Sequence, residues 1–233
     1  DFSEAVDLAD KMPDKLQEMI KEFDKQAKIN EVYPLDDRFT ARAANPERPS
    51  LTKGRTKFSY TANVTRVPEG SAPNVYQRDH RIDAYVNVEK NQKADGVLLA
   101  IGGSSAGLSF YTENGKLVYG YNFFGKGYYT IKSDSIVPSG DVKLSAVYKQ
   151  EPFRFLKDFK GGTVDLYIND KKVGSGNVEK AVPVRFSATE TLDVGVDLGA
   201  PVMPDYTEKA PFKFNGKINK VDIEIAPTQP LIQ

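Results

Sequence analysis

The sequence predicts a mainly β protein: an antiparallel β-sandwich preceded by a short helical segment. Three observations carry that prediction. The apolar period is helical over the first thirty residues and then changes to two. Short alternating runs follow, separated by the Asn, Gly and Pro residues of tight turns. Nothing resembles the strand–helix–strand alternation of a parallel nucleotide-binding sheet. Within the sandwich class the pattern fits a jelly roll or a concanavalin- or laminin-G-like arrangement.

The elements follow in order. Two short helices are expected at the start. In the second, Pro13 suits the first helical position and Asp14 the positive end of the helix dipole. Leu16, Met19, Ile20, Phe23 and Ala27 then recur at helical spacing and form one apolar stripe. Lys25 and Lys28 complement the far end of the dipole, and Pro34 is expected to stop the helix. Residues 45–57 are irregular, with two prolines and a glycine. "HRIDAYVNVEK" alternates Ile82, Ala84, Val86 and Val88 with polar residues, the mark of a half-buried strand. "GLSFYTENGKLVYGYNFF" reads as two strands turning at Asn114-Gly115. "TVDLYINDKKVGSGNV" turns at Asn169-Asp170, and "DVKLSAVYK" and "KFNGKINKVDIEI" supply further strands. The expected division is a helical segment and linker at residues 1–38 and a β-sandwich domain at residues 39–233.

Composition excludes several function classes. The 233 residues contain no cysteine, which removes disulfides, thiolate metal sites and cysteine nucleophiles. Lys+Arg and Asp+Glu are equal at 32 each, so no overall field points to nucleic acid or an anionic membrane. Residues 1–38 are locally acidic, with 11 acids against 6 bases. No stretch approaches the ~20 apolar residues of a membrane span. The chain starts "DFSEAV", without Met or a signal-like segment, and is read as a mature, excised or truncated piece.

Candidate chemistry is sparse. A Ser–His–acid triad would need the single histidine, His80, in "NVYQRDHRID"; a structural histidine at a strand entrance is the favoured reading. Asp193, Asp197 and Asp205 in "DVGVDLGAPVMPDY" are the calcium candidates, against a glycine-kinked loop as the plainer alternative. Asp222 and Glu224 share a strand face and form a weak glycosidase-like pair. A sugar platform is suggested by Tyr119, Tyr121, Tyr128 and Tyr129, with Phe123 and Phe124 beside them. "GGSSAG" at 102–107 precedes no helix, so it is not a phosphate cradle. The adjacent acids of "NEVYPLDDR" raise a metal or catalytic question, but they read better as a junction tied by Leu35, Asp36, Asp37 and Arg38.

A family resemblance is carried by "MPDKLQEMIKEFDKQAKINEVYPLDDR", "GRTKFSYTANVTRVPEGSAPNV", "ADGVLLAIGG", "GLSFYTENGKLVYGYNFFG", "TVDLYINDKKVGSGNVEKAVPVRFSATETLDVGVDLGAPV" and "FKFNGKINKVDIEI". In this order, over about residues 8–225, the chain resembles the C-terminal region of long bacterial arylsulfatases of the type I, formylglycine-dependent class. The resemblance implies a preceding α/β catalytic domain, which carries formylglycine and calcium. It also implies a periplasmic or secreted bacterial setting. The formylglycine motif has no counterpart here: the nearest Ser-x-Pro, Ser71-Ala72-Pro73, continues Asn74-Val75. Asp36-Asp37 does not correspond to that family's calcium-binding pair. The expected function is a non-catalytic accessory domain, inactive alone, whose helix stripe packs on the catalytic domain or, in the isolated chain, on a second copy. The alternative is a lectin-like glycan-binding sandwich.

Overall fold

The computed structural model describes residues 2–3, 5–37, 49–152 and 158–227. The expected boundary at residues 38 and 39 lies outside the described residues. The chain divides into two compact units, Asp1–Pro49 and Ser50–Gln233.

The first unit contains one helix, α1 (Pro13–Ile29), with Pro13 in the first turn, Asp14 near the N-terminus and Lys28 in the last turn. The earlier helix expected from the sequence is replaced, among the described residues, by turns around Leu8, whose carbonyl accepts the Lys11 and Met12 N–H groups. Nor does Pro34 end α1. The helix closes on itself four residues sooner. Glu31 adopts a left-handed φ of 53°, and its N–H and that of Val32 return to the carbonyls of Lys28 and Ala27. This double return satisfies carbonyls that the helix end leaves open. Asn30 adds a side-chain bond to the Gln26 carbonyl at 2.8 Å. Tyr33 then folds back, edge-on to Phe23 at 6.3 Å and donating its hydroxyl to Asp24. Leu35 is 63% exposed, so it does not anchor the turn as expected. Only Ala27 of α1 is buried; Leu16, Met19, Ile20 and Phe23 are between 39% and 62% exposed.

The second unit is the sandwich. Its strands are β1 (Lys57–Thr61), β2 (Val67–Pro68), β3 (His80–Val88), β4 (Gly96–Gly103), β5 (Ala106–Glu113) and β6 (Lys116–Phe123). They continue with β7 (Gly127–Ile136), β8 (Gly140–Gln150), β9 (Lys160–Ile168), β10 (Lys171–Lys180), β11 (Thr191–Val194) and β12 (Lys217–Ile225). One sheet has the order β1-β12-β3-β8-β9-β10, the other β2-β11-β4-β5-β6-β7, and neighbours within each are antiparallel. The expected antiparallel sandwich behind a helical segment is therefore the observed fold.

Local chemistry explains the pairing. Asn114 and Gly115 both take positive φ, 52° and 84°, as do Asn169 and Asp170, 47° and 64°. Two consecutive left-handed residues give the turn whose twist matches the flanking strands. In β3, Ile82, Ala84, Val86 and Val88 are buried while the residues between them are half-buried. That alternation sets one face of the first sheet on the core and leaves the other toward water.

The second sheet is different, because the central residues of β4, β5 and β6 are buried on both faces. Leu108, Phe110, Leu117, Tyr119 and Tyr121 point to the inter-sheet core. The opposite face carries smaller residues, Ala100, Ser109 and Gly120 among them, together with Val97, Tyr111 and Val118. It is covered by Val202, Met203, Tyr206 and Phe212 from the strap at residues 195–214. A Cβ at Gly120 would lie 2.6 Å from Met203 Cγ, so glycine makes room for the strap. Bonds from Gly195 N–H to the Leu98 carbonyl and from Val97 N–H to the Phe212 carbonyl fasten its two ends. Among the described residues no helix is long and apolar enough to cross a membrane.

Candidate functional site

The turn that leads into β1 is organised by a serine. Ser50 Oγ accepts the Thr52 and Lys53 N–H groups at 3.2 and 3.1 Å, and Arg55 N–H closes on the Thr52 carbonyl at 3.1 Å. Arg55 lies with its guanidinium 4.7 Å from the centre of the Phe58 ring and donates one N–H to the Leu51 carbonyl at 3.2 Å. Phe58 is itself a buried core residue, so this cation is set on a fixed platform. The exit of β12 is drawn to the same place. Ile225 N–H donates to the Thr56 carbonyl and Ala226 N–H to the Asp79 carbonyl, each at 2.9 Å.

Between these segments is a cleft of about 290 Å³, lined by Thr52, Lys53, Gly54, Arg55, Thr56, Asn74, Arg78, Ile225, Ala226 and Pro227. Its volume is at the lower edge of the ~300–1,000 Å³ of small-molecule sites, which suits one small unit and not a long chain. One wall is apolar, formed by Ile225, Ala226 and Pro227. The rest offers two threonine hydroxyls, the Asn74 amide and three cations, Lys53, Arg55 and Arg78. No acid is among the described lining residues. Burial lowers the pKa of the Arg78 guanidinium, as expected for a cation held partly out of water. The neighbouring Asp79 is engaged elsewhere: its carboxylate accepts Gln150 N–H at 2.8 Å and Lys149 Nζ at 3.0 Å.

The sequence-derived candidates fall mostly outside this cleft. Tyr119 and Tyr121 are core residues, not an exposed platform. Tyr119 donates to His80 Nε2 at 3.1 Å, and the Tyr121 hydroxyl accepts Val182 N–H at 2.8 Å. Both share strand parity with Leu117, and Gly120 between them faces the strap, so the pleat turns both rings inward. Tyr129 packs on the same core, and Tyr128 alone is exposed, at 44%. His80 is buried and stacked on Tyr148 at 4.8 Å. Its Nδ1–H donates to the Arg78 carbonyl at 2.9 Å, leaving Nε2 to accept from Tyr119. Burial pushes its pKa down to about 4, against the raising effects of the Arg78 carbonyl and Asp79, so the ring is neutral. Its hydrogen-bond partners include no serine.

The three aspartates proposed for calcium serve separate structural bonds. Asp193 accepts Arg66 N–H at 2.7 Å and the Thr191 hydroxyl at 3.1 Å. Asp205 accepts the Tyr111 hydroxyl at 3.0 Å. Asp197 is buried inside the strap, where Oδ2 accepts Tyr206 O–H at 2.6 Å and Val202 N–H at 2.9 Å. Among the described residues, no group of three or more His, Cys, Asp or Glu side chains is placed to hold a metal. The donor set therefore does not fit a calcium ion, which takes 6–8 oxygens. Asp222 and Glu224 lie on the outer face of the first sheet and pair with Lys220 and Lys57. Burial opposes ionisation of Asp222, but the bonds from Lys220 and Ser59 outweigh it and hold the carboxyl below its ordinary range. A glycosidase acid needs the reverse. The glycines of residues 102–107 belong to the β4–β5 hairpin.

One buried acid had no warning in the sequence. Glu69 receives the Phe186 and Ser187 N–H groups at 2.8 and 2.9 Å and the Tyr76 hydroxyl, joining the turn after β2 to the segment before β11. The cleft was also missed, because its lining comes from three distant segments.

No family model matches the sequence, and no curated protein matches it. Among solved structures, the chain is similar to a Ruminococcus gnavus IT-sialidase CBM40 bound to α2,6-sialyllactose. The identity is 11% and the TM-score 0.47, over 73% of this chain and 90% of that one. It is similar to domain 4 of AbnA, a GH43 extracellular arabinanase from Geobacillus stearothermophilus, in complex with arabinotriose. There the identity is 14% and the TM-score 0.44, over 73% and 76%. Domains LG4-5 of the mouse laminin α1 chain give 10% identity and a TM-score of 0.41, over 75% and 40%. The sandwich assignment rests on the two sheets of this chain itself.

Proposed function

We propose that this chain is a non-catalytic recognition module that binds a glycan in the cleft between the turn at residues 50–56 and the end of β12. The observation that supports this reading is the make-up of the cleft. Hydroxyl, amide and cationic groups line the cleft together with the apolar Ile225, Ala226 and Pro227, and backbone bonds tie the two segments to each other. A sugar ring presents hydroxyl edges and apolar C–H faces, and sites that orient small polar ligands combine the same two kinds of surface. The test is an array of neutral and acidic glycans probed with the whole chain. Binding is expected and should weaken in Asn74→Ala, whose side chain lines the cleft. No retained glycan across the array contradicts the reading.

A second reading is favoured by the exposed stripe of α1. An apolar helix face carrying Leu16, Met19, Ile20 and Phe23 suits docking on another surface. Together with the resemblance described above, it supports an accessory domain that packs on the catalytic domain of an arylsulfatase-like enzyme. Calcium and formylglycine would belong to that domain. On this reading the purified chain hydrolyses no aryl sulfate, with or without added calcium. Turnover that survives repurification removes it.

A further inference from the structure

We infer that α1 is a self-complementary docking helix, whose apolar stripe pairs antiparallel with the stripe of a second copy of this chain. The inference goes beyond both readings above, because the partner it names is the chain itself. From the cap residue Met12, the side chains of Leu16, Met19, Ile20 and Phe23 follow one face for ~17 Å of helix. Each of the five is between 39% and 62% exposed. The steps Met12-Leu16-Met19-Phe23 are four, three and four residues, the spacing by which two helices interdigitate along a shared seam. A continuous apolar row of this kind in water marks an interaction surface.

Charge selects the occupant. Lys15 and Glu22 lie on the same edge of the stripe, about two turns apart, on either side of its midpoint near Met19. Turned end over end about that midpoint, a second α1 brings its Glu22 to Lys15 and its Lys15 to Glu22. Ion pairs at this edge set the partner and the orientation of paired helices. In a parallel pair the same edge would face Ile20 and Ala27 of the other copy, which carry no charge. The antiparallel arrangement also sets the positive end of each helix dipole beside the negative end of the other. Both charges already meet a neighbour within α1, Lys15 with Glu18 at 2.9 Å and Glu22 with Lys25 at 3.4 Å. All four side chains are more than half exposed, and such pairs contribute little, so they do not hold Lys15 and Glu22 back from a partner helix. Glu18 and Lys25 themselves lie on the far side of α1 from the stripe.

The experiment follows sedimentation of the whole chain as its concentration rises, for wild type, Lys15→Glu, Glu22→Lys and an equimolar mixture of the two variants. Wild type should dimerise. Each variant alone should dimerise about tenfold more weakly, because one reversal turns both attractions across the two-fold axis into repulsions. The mixture should recover about wild-type strength, since edges of opposite sign then face each other, and the recovery should shrink as salt rises. The double variant Lys15→Glu with Glu22→Lys should dimerise like wild type, and it serves where a single reversal unfolds α1. Glu18→Lys and Lys25→Glu carry the same change in net charge on the far side of the helix, and should match wild type alone and when mixed. A chain that stays monomeric at every concentration overturns the pairing. A mixture no stronger than its components, with a double variant weaker than wild type, overturns it as well. The same loss and recovery in the far-side pair overturns it too, because net charge alone would then account for the effect.

Discussion

Replacing Asp197 by Asn should change the pH dependence of stability in a defined direction. Asp197 Oδ1 is buried and has no partner among the described residues, while Oδ2 accepts the Tyr206 hydroxyl and the Val202 N–H. Burial dominates those two bonds and raises the carboxyl from an ordinary 3.8 to about 6. A folded-state pKa above the unfolded value means that the native state holds the extra proton between these limits. The contribution of Asp197 to stability is therefore fully present below about pH 4, falls as pH rises toward 6, and is flat above. The shift corresponds to about 3 kcal/mol. Asn is neutral throughout, and its amide oxygen can accept the same two bonds. The stability difference, variant minus wild type, should thus grow by about 3 kcal/mol between pH 4 and pH 7, or about 6–12 °C in Tm for a domain of this size. Urea unfolding of both proteins at several pH values measures it. A pH-independent difference would refute the buried, ionising carboxylate.

The other predictions concern different parts of the molecule. His80 has its pKa lowered from 6.5 to about 4, so the unfolded chain takes up a proton that the native state refuses, and stability falls as pH drops through that window. His80→Phe should abolish about 3 kcal/mol of this slope at the cost of a constant offset; an unchanged slope in urea titrations removes the assignment. The two groups oppose each other between about pH 4 and 6, so the wild-type profile should be flatter than either variant's. Gly120→Ala should destabilise by about 1–3 kcal/mol by pushing Met203 off the second sheet, measured as a fall in urea midpoint, and an unchanged midpoint contradicts the strap packing. The combined Leu16→Ser, Met19→Ser and Phe23→Ser variant should abolish any self-association seen by sedimentation, and self-association that persists in the variant contradicts docking through the stripe.

The local rules of the fold were plain in the sequence, and the long-range ones were not. Asn114-Gly115 and Asn169-Asp170 announce their hairpins because few residue pairs accept two left-handed conformations. The alternation of Ile82, Ala84, Val86 and Val88 fixes one face of β3 for the same local reason. The tyrosines show where such reading stops. In "KLVYGYNF", the placement of Tyr119 and Tyr121 in phase with Leu117 already puts them on one face, but which face is buried depends on the partner sheet. In the event both faces are covered, one by the other sheet and one by the strap. The end of α1 falls before Pro34 because Glu31 takes a left-handed conformation, which a glutamate does not signal in the sequence as a glycine would. The cleft was invisible for a topological reason: residues 52–56, Asn74, Arg78 and residues 225–227 meet only after β12 pairs with both β1 and β3.

The claim that this sandwich recognises a glycan at that cleft is tested most directly by recording backbone amide shifts while galactose 6-sulfate is added. The account predicts saturable shifts concentrated at residues 52–56, 74–78 and 225–227, and silence on the strap at 195–214. Saturable shifts concentrated on the strap or around Tyr128, with the cleft unmoved, would contradict it.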